Sequence, residues 1–273
     1  MSLTGHPVPT PAPAAARVPS GPPRRVAVVG AGMVGLATGW FLQEHGVEVT
    51  VLERTGVAAG ASWGNAGWLT PGITTPLPEP AVLRTGVRAV FSPSSPVYVP
   101  PRADTNLVRF VAGFTRNSTG AAWRRNMAAL VPFNDLALPA FDELAAGGVA
   151  EPTHEARSFI AGYRREEERA TLLQEIEHIK DAGQRMAFEV LSGEQARSIE
   201  PVLSEAVTAA ILLKDQRFID PGAYLAALAE SFVARGGRLE TGLELMGLEA
   251  RVGEVLLHGT RGWAGDFDAV VLA

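Results

Sequence analysis

The sequence predicts an α/β protein organised on a dinucleotide-binding strand–helix–strand unit, and three observations predict it. Residues 26–29 (VAVV) form a short apolar run suited to a parallel strand buried on both faces. Gly30, Gly32 and Gly35 follow at once in G-x-G-x-x-G spacing, and Met33, Val34, Leu36, Trp40, Phe41 and Leu42 then recur at helical spacing. Residues 47–52 read as a second strand with Glu53 at its end, where the dinucleotide pattern wants an acid about 20 residues after the first glycine.

Each part has a physical job. Gly30 lets the chain turn out of the strand, Gly32 lets a pyrophosphate approach the backbone, and Gly35 lets the helix lie close to the strand. The helix start at Ala31, Met33 and Val34 offers N–H groups and a partial positive charge to the phosphates. Glu53 can accept hydrogen bonds from ribose hydroxyls and would repel a 2′-phosphate, which argues against NADP. A plain β-α-β turn accounts for Gly30 but not for all three glycines together with Glu53.

Composition bounds the rest. The chain has 273 residues, 47% hydrophobic and 19% charged, enough for one large or two ordinary domains with a sizeable core. A net charge of −5 without a basic stripe disfavours nucleic acid as a partner. There is no cysteine, which removes disulfides, thiolate metal sites, a Cys nucleophile and a cysteinyl cofactor link. No run of 18 apolar residues is present, so no transmembrane segment is expected, and the chain reads as cytoplasmic with peripheral attachment at the inner membrane face left open. The five histidines, His178 among them, stand apart from any second ligand at metal spacing, so no metal site is expected.

Taken in order, residues 1–23 are rich in Pro and Ala, lack the pattern of a signal peptide, and are expected to be a disordered tail. Residues 55–72 (TGVAAGASWGNAGWLTPG) carry five glycines with Ser62 and Asn65 between them. Composition alone allows either a mobile surface loop or a loop that brings backbone against something flat and polar. Here the chain resembles a known family. GAGMVG, Glu53-Arg54 and then Ser-Trp-Gly-Asn-Ala-Gly before Pro71-Gly72 are similar to the start of FAD-dependent oxidoreductases of the D-amino-acid oxidase-like group. The likeness is greatest to the D-amino-acid dehydrogenases. The resemblance implies a Rossmann-like FAD-binding domain with an inserted α+β substrate domain. It implies that the first motif and Arg54 hold the ADP half of FAD, and that Ser62, Asn65, Ala66 and Gly67 contact the cofactor beside the flavin. Nothing is transferred to Trp63 or Gly64.

Residues 73–104 hold seven prolines, which rule out helix interiors and central strands. The resemblance continues through VYVPPR and assigns this segment to the border of the substrate region; Phe91 and Tyr98 are read as packing residues. Asp104 is expected to cap a helix reaching Asn117. Residues 120–146 read as helical, with Pro132 and Pro139 predicting a kink or two shorter helices. A strand over 157–163, an amphipathic helix over 166–182 and a strand over 188–191 follow. Ser192 and Gln195 form a capping box before a short helix, and residues 206–213 form another strand. Asp220 and Pro221 suit the N-cap and first position of a helix over 222–235. Short strands are expected at 238–241, 243–248 and 255–260, and a last apolar strand over 267–273.

The family has a similar arginine, apolar, Asp-Pro step, which makes Arg217 and Asp220 candidates near the active site; a capped helix start accounts for Asp220 equally well. The segment matching Glu244-Leu245 implies a backbone contact to adenine at Leu245. Family members run from the last strand into a Gly-containing turn that these 273 residues do not reach, so the chain is expected to be C-terminally incomplete. The expected segments are a tail (1–23), a first FAD-binding part (24–85), a substrate or cap segment (86–216) and a second FAD-binding part (217–273). Three functions stay open. One is FAD-dependent oxidative deamination of a D-amino acid by hydride transfer from Cα to flavin N5, with electrons passing to a non-oxygen acceptor such as a quinone chain. The second is a glycine- or sarcosine-type amine oxidase using oxygen. The third is a fragment that binds FAD without turnover.

Overall fold

A computed structural model describes residues 21–79 and 104–273. Most of the expected tail, together with VYVPPR, Phe91 and Tyr98, lies outside the described residues. In chain order the elements are β1 (Arg25–Val29), α1 (Met33–Glu44), β2 (Glu48–Glu53), β3 (Trp68–Leu69), α2 (Thr105–Asn117), α3 (Gly120–Ala146), β4 (His154–Glu155), β5 (Ile160–Tyr163) and α4 (Glu166–Asp181). They continue with β6 (Phe188–Ser192), α5 (Gly193–Ile199), β7 (Ala209–Leu213), β8 (Arg217–Phe218), α6 (Pro221–Ala234), β9 (Arg238–Thr241), β10 (Leu245–Arg251), β11 (Glu254–Gly259), β12 (Ala264–Phe267) and β13 (Ala269–Leu272). The chain divides into two compact units. The first comprises the chain up to Ala66, Ala145–Pro152 and Asp220–Ala273; the second comprises Gly67–Leu144 and Thr153–Ile219.

The first unit is built on a parallel sheet in the order β13-β1-β2-β9. Val26, Ala27 and Val28 are buried, as are Val49, Val51 and Leu52, which is why these strands read as unbroken apolar runs. Successive side chains serve opposite faces. Val49 and Val51 reach α1 at Gly39, whereas Leu52 joins Ala27, Leu243, Leu257 and Phe267 against the antiparallel meander β10-β11-β12. Helix α6 buries Tyr224, Leu225, Leu228 and Phe232. It is fastened to α1 by the Trp40 indole N–H donating to Ser231 Oγ at 3.0 Å and by Arg235, which lies over the Trp40 ring and pairs with Glu44. The single terminal strand expected over 267–273 is instead two. Phe267 ends β12 in the meander, and β13 pairs with β1. Asp268 makes the break: its N–H donates to Arg25 O and its carboxylate accepts from the N–H groups of Arg24 and Arg25.

The second unit holds an antiparallel sheet in the order β5-β7-β6. All five residues of its central strand β7 are buried. Ile176 of α4 packs on Ile211 and Leu213, and α5 starts with both halves of the expected Ser192–Gln195 capping box. Asp104 caps α2 as expected. Of the two forms expected for residues 120–146, helix α3 is a single helix of 27 residues with Pro132 and Pro139 inside it, rather than two shorter helices. Each proline costs about 3 kcal/mol in a helix interior, but the helix is held on both sides of them. Trp123 and Met127 pack on Ile179 before the first, and the Asn134 side chain bonds Thr74 and Gln184 after it. Among the described residues, no helix is long and apolar enough to cross a membrane.

Candidate cofactor site

The carboxyl ends of parallel strands leave the sheet on one edge, and loops that diverge there leave a crevice where the strand order reverses. In the first unit α1 carries the chain from β1 to β2, while β13 lies on the other side of β1. A cavity of about 550 Å³ sits at this edge, lined by Gly30, Gly32, Met33, Val34, Gly35, Glu53, Arg54, Ser62 and Leu245 among others. Its floor depends on glycine. Gly30 takes φ +110°, a conformation that L side chains rarely adopt, and donates its N–H to Leu52 O. A Cβ on Gly35 would stand 1.9 Å from Gly30 O, so only glycine lets α1 close on the strand end.

The N-terminus of α1 has no side-chain cap of its own and no acid in its first turn. Its positive end therefore faces the cavity with no countercharge from its own first turn. The Met33 N–H is satisfied from far along the chain, by Ser62 Oγ at 3.0 Å. Glu53 is fixed opposite. Its Oε2 accepts from the Ala31 N–H at 2.9 Å, and its Oε1 accepts from the N–H and hydroxyl of Thr55 at 2.8 and 2.9 Å. Burial pushes the Glu53 carboxyl up, but these hydrogen bonds and the neighbouring Arg54 charge outweigh it and hold the group below the usual carboxylate range. The acid is thus an anion with three of about four lone-pair sites taken, which leaves one on Oε2 for a further donor.

The remaining expected residues are placed as follows. Ala31 contributes its N–H to Glu53 and is itself buried. Asn65, Ala66 and Gly67 do not line the cavity; Asn65 donates to Ser62 O, and Gly67 O accepts from Ile219 in the second unit. Arg217 lies on β8 in the second unit, where its guanidinium meets both oxygens of Asp142 at 2.5 and 3.3 Å and Thr153 Oγ1 at 3.4 Å. That bond holds Asp142 below the usual carboxylate range and Arg217 above its own. Asp220 caps α6 by accepting from the Ala223 N–H at 3.0 Å. Sequence reasoning missed Thr55, Gly60, Leu243 and the backbone of the last residue, all on the cavity wall. Thr55 could have been found, because a Thr two residues after the acid can turn back onto its carboxylate.

A larger cavity of about 690 Å³ lies in the second unit. Several of its polar groups are already committed, although Gln216 Oε1 is buried without a partner among the described residues. Lys180 pairs with Glu177 and Lys214 with Glu189, while Asn134 serves Thr74 and Gln184, and the Gln216 amide donates to Lys214 O. The same unit carries an aromatic row across the small sheet β3-β8-β4, whose register places Trp68, Phe218 and His154 side by side. Phe159 stacks on Trp68 at 4.5 Å, and Trp68 remains 49% exposed.

The sequence matches the family described as "DAO: FAD dependent oxidoreductase" over residues 25–273. Among curated relatives, it is 28% identical to a D-amino acid dehydrogenase of Rhizorhabdus wittichii, over 80% of this chain and 53% of the relative. It is 27% identical to a D-amino acid dehydrogenase of Phenylobacterium zucineum, over 91% of this chain and 59% of the relative. The chain thus spans about half the length of the curated relatives it matches. Glycine oxidase from Geobacillus kaustophilus shares the fold with a TM-score of 0.59 at 21% identity, over 92% of this chain and 55% of that one. L-α-glycerophosphate oxidase from Mycoplasma pneumoniae, solved with FAD bound, has a TM-score of 0.57 at 18% identity, over 87% and 50%.

The residues present fit the ADP half of FAD. Gly32 leaves a gap in which a Cβ would meet Ser62 Oγ at 3.0 Å, so backbone and hydroxyl border the same space at the helix start. Donors there suit phosphate oxygens, and the remaining acceptor on Glu53 suits a ribose hydroxyl.

Proposed function

Since the chain belongs to the DAO family of FAD-dependent oxidoreductases, we propose that it holds FAD in the cavity of its first unit and serves the oxidative deamination of a D-amino acid. The single observation that carries this reading is the Glu53 anion fixed beside the glycine turn at the carboxyl edge of a parallel sheet. In this reading the α1 N-terminus and Ser62 bind the pyrophosphate, Glu53 takes a ribose hydroxyl, and the backbone at Leu245 meets the adenine. Arg54 serves the ADP half with them, and Asn65, Ala66 and Gly67 belong to the loop assigned beside the flavin. When bound, the cofactor supplies the redox chemistry, accepting a hydride from the substrate Cα at N5. The protein's part is to orient the substrate and exclude competing reactions. The substrate carboxylate calls for a bidentate arginine. Arg217 is already joined to Asp142, and Asp220 is occupied as a cap, so neither is assigned that role. Electrons pass to an acceptor other than oxygen, with a membrane quinone as the proposed class.

The preference for a D-amino acid over glycine rests on the curated relatives' names. A glycine- or sarcosine-type amine oxidase using oxygen is the second reading, favoured by the fold shared with glycine oxidase. Purified chain is assayed by dye reduction with paired D- and L-amino acids and glycine, with oxygen uptake followed in parallel. Dye reduction by D-amino acids without oxygen uptake supports the first reading, and oxygen uptake with glycine supports the second. Flavin retained without reduction by any amine supports a chain that binds FAD but does not turn over.

A further inference from the structure

We propose that Trp63 is a positioning residue for the cofactor: by resting on the start of α6 it holds Ser62 at the start of α1, and so sets how tightly the chain binds FAD. This rests on the cofactor site proposed above. Trp63 is 68% exposed, yet its ring lies against Gly222 so closely that a Cβ there would come within 2.5 Å of Cζ3 and 3.3 Å of Cε3 and Cη2. An exposed indole over a bare helical backbone is a specific arrangement, because Trp brings a large rigid area to whatever it touches.

The floor under the ring is fixed. Gly222 follows Pro221 in the first turn of α6, and that turn is capped by Asp220. The loop above it is tied beside the start of α1. Ala58 donates its N–H to Ala31 O at 3.0 Å, and Ser62 Oγ accepts from Met33. The bonds from Ala59 to Gly56, from Trp63 to Gly60 and from Asn65 to Ser62 turn the loop on itself. Ser62 and Trp63 are adjacent, so seating the ring on Gly222 fixes the peptide from which the Ser62 hydroxyl reaches α1. Without the ring, Ser62 keeps its bond to Met33 but loses the neighbouring side chain that seats its peptide.

The test titrates FAD into the apo chain, read by flavin fluorescence, and records the melting midpoint of each apo variant. Trp63→Ala is expected to weaken FAD binding by at least about tenfold, the scale on which a misplaced binding group acts, with a small change in apo midpoint. Trp63→Phe, which keeps a ring on the glycine, should stay within about threefold of wild type. Gly222→Ala suits the helix but displaces the ring, so it should weaken FAD on its own and add nothing in the Trp63→Ala background. A Trp63→Ala chain that binds FAD like wild type overturns the proposal, as does a purely structural signature in which only the midpoint falls. A wild-type chain that takes up no FAD overturns the cofactor site and this proposal together.

Discussion

The two units each contain a sheet with a buried apolar run at its centre, yet they use its ends differently. In the first, β1 and β2 run parallel, and their carboxyl ends open together onto the cavity at Gly30 and Glu53. In the second, β7 lies antiparallel to both neighbours, so strand ends alternate and no edge collects them. The first unit therefore builds its site from backbone: glycine turns, the N–H groups of a helix start, and one acid tied to them. The second offers side chains, and most are already engaged with one another, as at Arg217–Asp142 and Asn134–Gln184. Strand direction, more than cavity size, separates a site built of backbone donors from a surface whose side chains largely serve one another.

The sharpest break of this comparison uses a glycine from each unit. Gly35 and Gly193 are equally crowded; a Cβ would stand 1.9 Å from Gly30 O and 2.0 Å from Val207 O respectively. Gly35→Val is expected to abolish FAD uptake, because α1 can no longer close on β1. Gly193→Ala is expected to destabilise the second unit by several kcal/mol, of order 1–3 or more for overpacking, while FAD titration of the folded protein stays near wild type. Equal loss of FAD binding in both variants would show that the cofactor site draws on the second unit.

Glu53→Gln comes next. An amide must point N–H at one of the N–H groups of Ala31 or Thr55, and losing charged hydrogen bonds of about 1.5–3 kcal/mol weakens FAD by roughly ten- to a hundredfold in calorimetry. The same residue gives a pH dependence. Its folded pKa lies below the ordinary 4.5, so its stabilisation is complete above that value and is lost as pH falls through the lower folded one. Melting midpoints of wild type should drop over that acid range by more than those of Glu53→Gln.

Smaller effects belong to the second unit and should spare the cofactor. Ser192→Ala removes the cap on Gln195 and should lower stability by about 1 kcal/mol, read by urea unfolding with unchanged FAD affinity. Asp142→Asn should cost less than about 1 kcal/mol, since the carboxylate is 61% exposed and screened by solvent. What it removes of the Arg217 tie should be absent in wild type too once pH falls below the carboxyl's lowered pKa.

Much of the first unit was legible in the chain itself. The VAVV run, three glycines and Glu53 predicted β1, α1, β2 and the acid beside them, because each is a local rule of backbone conformation, burial or capping. The caps at Asp104, Ser192 and Asp220 were legible for the same reason. Three things were decided by tertiary packing. Helix α3 runs through two prolines because contacts on both sides outweigh local propensity. The last apolar run splits between two sheets at Asp268 because its carboxylate pairs with backbone that lies far away in sequence. Trp63 read as an uncommitted position in a glycine-rich loop, because its partner is a missing side chain at Gly222, and no local pattern can signal a gap that only the folded chain brings beneath it.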